Sequence, residues 1–260
     1  MSKGAAARTA AHGRVADLRF SIQDGIAWLR LERPQAHNRI TPHLAQALCD
    51  AAAEIELDDR VIAVVLAASG PSFCAGVEDG GDWERRIDWI AAIARLTRPV
   101  VAAIQGDAMA EGLELALACD LRVISDRAHL AMPQLAGGRL PAHGGTQRLP
   151  RIVGRTRALD LLLTGRRVDA AEAAAIGLAT CVAAHHELER ALAAVVRELR
   201  AKGPVALRYA KEAVVHGSDL TLDQGIRLEE DLYVLLQTTR DRQEGINAFV
   251  QKRKPVFRGR

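Results

Sequence analysis

The chain has 260 residues, 49% of them hydrophobic and 26% charged, which is the composition of a folded protein with a sizeable core and excludes disordered and fibrous classes. Its 35 basic and 32 acidic residues give a net charge of +3, which is too balanced to identify a nucleic-acid-binding or membrane-surface protein by charge alone. Aromatic residues make up only 3%, too few for a base-stacking surface, and no apolar run reaches the roughly 18 residues of a membrane-spanning helix.

The N-terminal segment and the cysteines bear on the cellular compartment. Residues 1–14 are small and basic without an apolar stretch, so we expect a disordered leader and not a secretory signal. An organellar presequence has a similar composition and stays open. The four cysteines lie far apart without a CxxC pair, which is typical of reduced thiols. We therefore expect a cytoplasmic protein, with an organellar matrix as the alternative.

The first part of the chain predicts a β-hairpin followed by a helix. Residues 18–22 and 26–31 alternate between apolar and polar side chains around an Asp24-Gly25 turn, which is a strong hairpin signal. Thr41-Pro42 then supplies an N-cap and a proline in the first turn. Apolar residues follow at helical spacing up to about Asp58, so an amphipathic helix is expected there.

Short apolar runs separated by helical patterns predict a parallel sheet. The runs are 61–66, 100–104 and 121–124, and each is continuous, as in a strand that is covered on both faces. Trp83, Ile87, Ile90 and Ala94 mark one of the intervening helices. Alternation of strand and helix favours parallel βαβ units, so the fold class is α/β.

From about Gly144 onward the pattern is almost entirely helical. The predicted helices cover 145–153, 155–163, 169–176, 186–202, 205–215, 221–239 and 242–252. We expect an α/β core over residues 15–200 and a C-terminal helical segment over residues 201–260. An all-helical segment of this kind often serves for docking or oligomerisation.

Two loops rich in small residues follow predicted strands and are the best candidates for a ligand site. Residues 69–78 follow one strand, and residues 105–114 follow the next and run into a helix. Small residues at the carboxyl ends of parallel strands let the backbone approach a ligand, and a helix start offers unpaired N–H groups. One donor from each loop could hold a developing oxyanion, although the glycines could equally serve only tight turns. The sequence has neither phosphate-binding motifs nor a His/Cys cluster, so no metal site is expected.

Six segments make the chain similar to the crotonase superfamily, also called the enoyl-CoA hydratase/isomerase family, from about Leu18 to Arg260. They are Leu31–Asn38, Phe73–Gly76, Arg98–Gly106, Gly112–Asp120, Gly144–Gly154 and Glu244–Arg253. The resemblance implies a crotonase-like spiral of ββα units with a C-terminal helical oligomerisation segment. It also implies an acyl-CoA substrate. The family hosts hydration, isomerisation, thioester hydrolysis, dehalogenation and decarboxylation, so membership does not fix the reaction.

The resemblance assigns the chemistry to three residues. The backbone N–H groups of Val77 and Glu111 become the oxyanion donors that bind the thioester oxygen as it turns into an enolate. One such donor typically contributes a factor of about a hundred to a thousand in rate. Glu114 matches the first catalytic glutamate of the family, which holds or deprotonates water for attack at the β-carbon; burial would raise its pKa toward that of a general base.

The resemblance also assigns residues to coenzyme A. Arg33, Ala36 and His37 match the adenine and pantetheine side of the family's site, and Ala75 and Gly76 lie beside the first oxyanion donor. Two C-terminal positions, Phe249 and Lys252, match residues that can reach the nucleotide, sometimes in a neighbouring subunit. Lys252 is as easily a solvated charge. No cofactor beyond the CoA moiety of the substrate is expected.

Three positions depart from the family's pattern. Gln134 stands where hydratases carry a second glutamate, and an amide cannot carry a proton to and fro at neutral pH. Glu111 replaces a usual glycine and lies three residues before Glu114, so it either pairs with that carboxylate or turns to solvent. His143 stands where some isomerases and hydrolases carry an acid, and it could act as acid or base or merely cap a helix.

These observations favour an acyl-CoA enzyme, with an enoyl-CoA hydratase or dehydratase-type lyase as the leading hypothesis. The alternatives on the same scaffold are an enoyl-CoA isomerase and an acyl-CoA hydrolase that uses Glu114 and His143. A third alternative is a non-catalytic paralogue that binds CoA thioesters or, through its basic tail 252–260, RNA. The family's assemblies imply a homotrimer or a hexamer built as a dimer of trimers, with no metal and no membrane as partners.

Overall fold

Two sheets organise the fold. The computed structural model describes residues 14, 15, 17–78 and 86–260. Within them a seven-stranded sheet and a three-stranded sheet form. The strands are β1 (Arg14–Val15), β2 (Leu18–Gln23), β3 (Ile26–Leu31), β4 (Ala63–Ala68), β5 (Ser72–Cys74), β6 (Val100–Ile104), β7 (Asp107–Met109), β8 (Leu121–Ser125), β9 (Leu130–Ala131) and β10 (Cys181–Ala183).

Helices pack around both sheets. The α-helices are α1 (Pro42–Leu57), α2 (Trp89–Ala94), α3 (Glu111–Leu117), α4 (Gly145–Val153), α5 (Arg155–Thr164), α6 (Ala170–Ala175), α7 (Leu188–Arg200), α8 (Pro204–Gly217), α9 (Leu222–Gln237) and α10 (Arg240–Val250). Short 3₁₀ helices cover Pro34–Ala36, Pro133–Gly137 and His185–Glu187.

The predicted hairpin and first helix are confirmed. Strands β2 and β3 pair antiparallel, and Asp24 and Gly25 both adopt positive φ (50° and 78°), as the tight turns of hairpins require. The Thr41 hydroxyl oxygen accepts a hydrogen bond from the N–H of Leu44 at 3.1 Å and so caps α1. One face of α1 is buried, which the spacing of its apolar residues predicts.

The large sheet is covered on both faces, which explains its continuous apolar strands. Its order is β1-β2-β3-β4-β6-β8-β10, and the pairs from β3 to β10 are parallel. All residues of β4 and β6 are buried. Helix α7 packs on one face through Leu188, Leu192 and Val196, while α1, α2 and α3 pack with the opposite face.

A repeated unit of long strand, short strand and helix builds the core. The long strands β4, β6 and β8 are neighbours in the large sheet, and the short strands β5, β7 and β9 form the small sheet in the same order. Helices α2 and α3 complete the first two units. This arrangement confirms the α/β class and the spiral of ββα units that the resemblance implies. The small sheet is parallel throughout, so its strands all end at one edge.

One strand interrupts the almost entirely helical pattern that is predicted from about Gly144 onward. Strand β10 adds to the large sheet in parallel with β8, with Cys181 opposite Val123. It has only three residues, all of them at least partly exposed, so it lacks the apolar run of a central strand. The helices predicted between residues 145 and 252 agree with α4 to α10 to within a few residues, except that the helix expected from residue 186 begins at Leu188 after a 3₁₀ turn.

Some expectations fall outside the described residues. Residues 1–13 of the expected leader lie there, whereas Arg14 already belongs to β1. The predicted helix around Trp83 overlaps residues 79–85, which also lie outside, and its later part corresponds to α2. Among the helices that the structure describes, none combines the length and the apolar character needed to cross a bilayer.

Candidate active site

The carboxyl edge of the small sheet brings together the loops that carry the predicted site residues. Strand β5 leads to Val77, β7 leads to Glu111 at the start of α3, and β9 leads to Gln134. Because the three strands are parallel, these loops meet at one edge, where sheets of this kind bind ligands. Segments that are far apart in sequence therefore contribute to one site.

Glu114 lies at the centre of this site and is fully buried. Its Oε1 accepts hydrogen bonds from the backbone N–H groups of His143 and Gly145, both at 2.8 Å. Burial is the main cause that raises the pKa of the Glu114 carboxyl to about 7; the negative charge of Glu111 acts in the same direction, and the two hydrogen bonds act against it. A carboxyl with this pKa can both take and return a proton near neutral pH.

The chain leaves room for Glu114 by placing glycine at position 145. A Cβ atom there would lie 3.0 Å from Glu114 Oε1 and 2.9 Å from the methyl carbon of Met132. The absence of a side chain lets the first turn of α4 present its N–H to the carboxylate. Gly145 therefore positions Glu114. It belongs to the family segment Gly144–Gly154, but the sequence pattern does not indicate this role.

The carboxylate of Glu111 points into the site and not to solvent. Glu111 is only 4% exposed, and its Oε2 accepts a hydrogen bond from the N–H of Val77 at 3.2 Å. Its Oε1 lies 3.8 Å from a guanidinium nitrogen of Arg139, whose side chain is half exposed. The N–H that the resemblance assigns to the thioester oxygen is thus bonded to a side chain of the protein. The sequence left the direction of this side chain open.

Close backbone approach holds β5 against the start of α3. A Cβ atom on Gly112 would overlap the carbonyl oxygen of Cys74, so only glycine permits this contact. Ala110, which precedes the helix, has φ 51° and ψ −121°, a conformation that favours glycine. Such strain costs about 1–3 kcal/mol and often accompanies functional sites. The surrounding structure therefore holds Ala110 in a backbone conformation that alanine disfavours, and this conformation sets the direction of the Glu111 amide.

Gln134 is buried beside Glu114. It is 3% exposed, and its Nε2 donates a hydrogen bond to Glu114 Oε2 at 3.3 Å. Its Oε1 is also buried and has no hydrogen-bond partner within the described part of the chain. The amide thus orients one oxygen of Glu114 and keeps an unpartnered acceptor of its own, although it cannot transfer a proton.

His143 contacts Glu114 through its backbone. Its ring lies against that of the buried Trp89, with centroids 5.6 Å apart and an angle of 56° between the planes. The side chain of Arg148 donates a hydrogen bond to the carbonyl oxygen of His143 at 2.6 Å. The sequence pattern assigned no role to Trp89, Arg139 or Arg148. Two features could have pointed to them: Trp89 lies in a predicted helix, and Arg148 lies in one of the family segments.

The loop that contains Ala36 and His37 packs against the loop that contains Ala75 and Gly76. The N–H of Ala75 donates to the carbonyl oxygen of His37 at 3.0 Å, and His37 Nδ1 lies 3.1 Å from the hydroxyl of Ser72. Ala36 ends the preceding 3₁₀ helix, and the carbonyl oxygen of Gly76 accepts a hydrogen bond from the N–H of Ile40. These contacts join the two segments that the resemblance assigns to coenzyme A.

The other predicted CoA residues differ in their surroundings. The guanidinium of Arg33 lies 2.8 Å from the Glu78 carboxylate, so in this structure it pairs with an acid. Phe249 is 85% exposed on α10, and Lys252 is exposed beyond its end. The single chain thus leaves both C-terminal positions on its surface. No group of three or more metal-binding side chains is found among the residues that the structure describes.

The match to known proteins extends over almost the whole chain. The enoyl-CoA hydratase/isomerase family model matches residues 21–260. The chain is 36% identical over 252 residues to the mitochondrial enoyl-CoA hydratase domain-containing protein 2 of Bos taurus, which covers 90% of this chain and 85% of that protein. It is 34% identical over 260 residues to the enoyl-CoA isomerase/hydratase fer4 of Mycosarcoma maydis, which covers 91% of this chain and 93% of that protein.

Solved structures show the same fold. The crystal structure of an enoyl-CoA hydratase from Bacillus anthracis superposes with a TM-score of 0.90 at 32% identity, and the match covers 94% of this chain and 100% of that chain. Pseudomonas aeruginosa DspI superposes with a TM-score of 0.89 at 30% identity, over 95% of this chain and 99% of that chain. With its ββα spiral and its family match over residues 21–260, the chain belongs to the enoyl-CoA hydratase/isomerase family.

Proposed function

We propose that this protein adds water to the double bond of an enoyl-CoA, or removes it from the corresponding 3-hydroxyacyl-CoA. The observation that carries the proposal is the buried Glu114 carboxyl, whose pKa of about 7 suits an acid and base near neutral pH. Its position at the carboxyl edge of a parallel sheet supports the same reading. The names of the relatives, which include hydratases, agree with it.

The proposed hydration uses one carboxylate for both proton transfers. Glu114 takes a proton from water while the hydroxide oxygen bonds to the β-carbon, and the electron pair of the double bond moves to form the enolate. The protonated Glu114 then returns that proton to the α-carbon. Water is thereby added across the bond and Glu114 is regenerated. Gln134 orients Glu114 Oε2 and presents its own Oε1 to the attacking water.

The enolate oxygen needs hydrogen-bond donors. We propose the N–H groups of Val77 and Glu111 for this role. The contact between the Glu111 side chain and the Val77 N–H supports it, because it places the two residues side by side. Glu111 is also the first residue of α3, where a backbone N–H has no acceptor within the helix. One donor of this kind contributes a factor of about a hundred to a thousand in rate.

A double-bond isomerase is the second candidate, and Gln134 is the observation that favours it. A single group is sufficient to move a double bond, because it can remove a proton from one carbon and deliver it to another, and Glu114 can do this without a second carboxylate. The fungal relative fer4 carries both activities in its name. Hydrolysis that uses Glu114 and His143 is a third outcome; the backbone contact between these residues supports it weakly, because the His143 ring packs on Trp89.

Incubation of a short enoyl-CoA in heavy-oxygen water separates these reactions. Label at the β-carbon indicates hydration, label in a free acid indicates hydrolysis, and a shifted double bond without label indicates isomerisation. Glu114→Gln should abolish the reaction that occurs, whereas exchange of the exposed Glu198 for glutamine should not. Tight CoA binding without turnover of any acyl-CoA would instead favour the non-catalytic paralogue. Titration of the protein with RNA would test whether the basic tail binds it.

We further propose that coenzyme A binds along the early loop. Arg33, Ala36 and His37 would contact its adenine and pantetheine side, with Ala75 and Gly76 next to the thioester, and no other cofactor would be required. The hydrogen bond between Ala75 and His37 supports a continuous surface. Phe249 and Lys252 would act on the nucleotide bound to a neighbouring copy, which fits their exposure. Loss of CoA affinity in Phe249→Ala under dissociating conditions would argue against that arrangement.

The C-terminal helices support an assembly of several copies. Large apolar side chains are exposed there; they include Val214, Leu222, Tyr233, Val234, Phe249 and Val250. Exposed apolar surface of this extent is typical of a protein interface. We propose that residues 201–260 form the oligomerisation segment beside a 15–200 core, in a homotrimer or a dimer of trimers. Light scattering would test the mass of the assembly.

We propose a cytoplasmic location, with an organellar matrix as the alternative. The four cysteines are free, as in a reducing compartment. The bovine relative is named mitochondrial, which supports the alternative. Fractionation of cells that express the full chain would distinguish the two compartments.

A further inference from the structure

The carboxylate of Glu111 competes for the place of the thioester oxygen. Its Oε2 lies 3.2 Å from the Val77 nitrogen, which is the distance at which a bound carbonyl oxygen would lie. Gly76 leaves room for this oxygen, since a Cβ atom on Gly76 would come within 2.7 Å of it. The Glu111 side chain therefore fills the position that the proposed function gives to the substrate.

The two occupants cannot share this position. The Val77 N–H has one hydrogen and donates one good hydrogen bond. An enolate oxygen would also lie beside a negative carboxylate in a buried site, where like charges repel strongly. Glu114, three residues further along α3, already carries a pKa raised in part by the Glu111 charge. Enolate formation thus requires the Glu111 carboxylate to move away.

Arg139 offers a destination for the displaced carboxylate. Its guanidinium lies 3.8 Å from Glu111 Oε1, and its side chain is 51% exposed. Arg139 follows Gly137 and Gly138, and a Cβ atom added to either glycine would meet no other atom within 4 Å, so there is open space at these two positions. A rotation of the Glu111 side chain toward Arg139 would exchange the hydrogen bond to Val77 for a closer ion pair, without moving α3.

We propose that Glu111 is a specificity-determining residue that acts as a displaceable internal ligand of the thioester site, and that Arg139 is the positioning residue that receives its carboxylate. This inference rests on the proposed function. A ligand opens the site only when its carbonyl oxygen replaces Glu111 on the Val77 N–H. CoA derivatives that lack this oxygen bind along the CoA surface and leave Glu111 in place.

Two ligands of equal chain length test the proposal by calorimetry: a saturated acyl-CoA thioester and the S-alkyl-CoA thioether, which lacks the carbonyl oxygen. In Glu111→Gly the thioester should bind about tenfold more tightly or better, because a charge-assisted hydrogen bond no longer has to be displaced. Binding of the thioether should stay within about twofold, since it makes no bond to Val77. Equal changes for both ligands, or no change for the thioester, would overturn the proposal.

Arg139→Ala tests the destination. It should weaken thioester binding when Glu111 is present and have no effect in the Glu111→Gly background, which is the coupling expected of residues that act through each other. Arg157→Ala, an exposed arginine on α5, serves as the matched control and should change neither background. The same loss from Arg139→Ala in both backgrounds would show that Arg139 contacts the ligand directly and would refute its positioning role.

The outcomes also separate this proposal from the proposed function. Failure of the wild type and of Glu111→Gly to bind any acyl-CoA would contradict the function itself. Acyl-CoA turnover in both, with equal affinity for the thioester, would contradict only the displacement of Glu111. Unfolding curves of each variant establish that the fold is retained. Glu111→Gln serves as a second variant, because glutamine removes the charge but keeps an oxygen that can accept the hydrogen bond from the Val77 N–H.

Discussion

Replacement of Glu114 by glutamine should change how stability depends on pH. In the native protein both N–H groups that hold the side chain bind Oε1, and the amide oxygen of glutamine can accept the same two bonds. The amide nitrogen would face Gln134, whose amide can turn and accept through its own oxygen. The variant should therefore fold with the site intact while it lacks the buried charge.

The magnitude follows from the raised pKa. Burial lifts the pKa of Glu114 from 4.5 to about 7, so the native state binds this proton more tightly than the unfolded chain does. The stabilisation is fully present below pH 4.5 and is lost as the pH rises through 7. At about 1.36 kcal/mol per pKa unit, the wild type loses about 3 kcal/mol in total, most of it between pH 5 and pH 8. Glu114→Gln should not show this loss.

Urea unfolding at pH 5 and pH 8 measures the effect. Other groups titrate in both proteins, so the difference between the variant and the wild type isolates Glu114. From pH 5 to pH 8, the free energy of unfolding of the variant should rise by about 2 kcal/mol or more relative to that of the wild type. Glu198→Gln, an exposed carboxylate on α7, should follow the wild type. Parallel profiles of wild type and Glu114→Gln would refute the argument that the buried carboxyl titrates near neutrality.

Three further substitutions test the surroundings of the site. Ala110→Gly should raise the free energy of unfolding by about 1 kcal/mol in urea titrations, because glycine adopts φ 51° without strain. Gly112→Ala should lower it by about 2 kcal/mol or more and reduce acyl-CoA turnover, since the added methyl overlaps the carbonyl oxygen of Cys74; an unchanged melting temperature would contradict this contact. Gln134→Glu should raise the rate of enoyl-CoA hydration about tenfold by adding a second proton carrier beside Glu114, and a slower rate would mean that the amide is needed as it stands.

The elements that sequence predicted well have local causes. The hairpin follows from Asp24 and Gly25, which accept positive φ, and the start of α1 follows from the capping hydroxyl of Thr41. Strand β10 has no such cause. Its three residues become a strand because β8 offers a free edge 58 residues earlier in the chain, as the pairing of Cys181 with Val123 shows. Pairing of this kind depends on a distant strand and not on alternating apolar and polar residues, so the local sequence does not predict it.

The same distinction holds for the candidate site. Helical spacing puts Glu111 and Glu114 on one face of α3, and the sequence could say that much. The direction of the Glu111 side chain depends on Val77 and Arg139, which come from two other loops. The orientation of the Gln134 amide depends likewise on Glu114. The rotamer of a buried polar group is set by partners that only the folded chain assembles.

A largely buried ion pair connects α8 to the sheet and limits which C-terminal helices can replace the native ones. The ammonium group of Lys211 lies 2.8 Å from the Asp120 carboxylate and donates a hydrogen bond to the carbonyl oxygen of Arg98. Asp120 in turn accepts the N–H of Val100 at 2.7 Å, at the beginning of β6. A chimera that borrows residues 201–260 from another family member must therefore bring a cation at position 211. Without it, the grafted helices would leave an uncompensated anion beneath the strand.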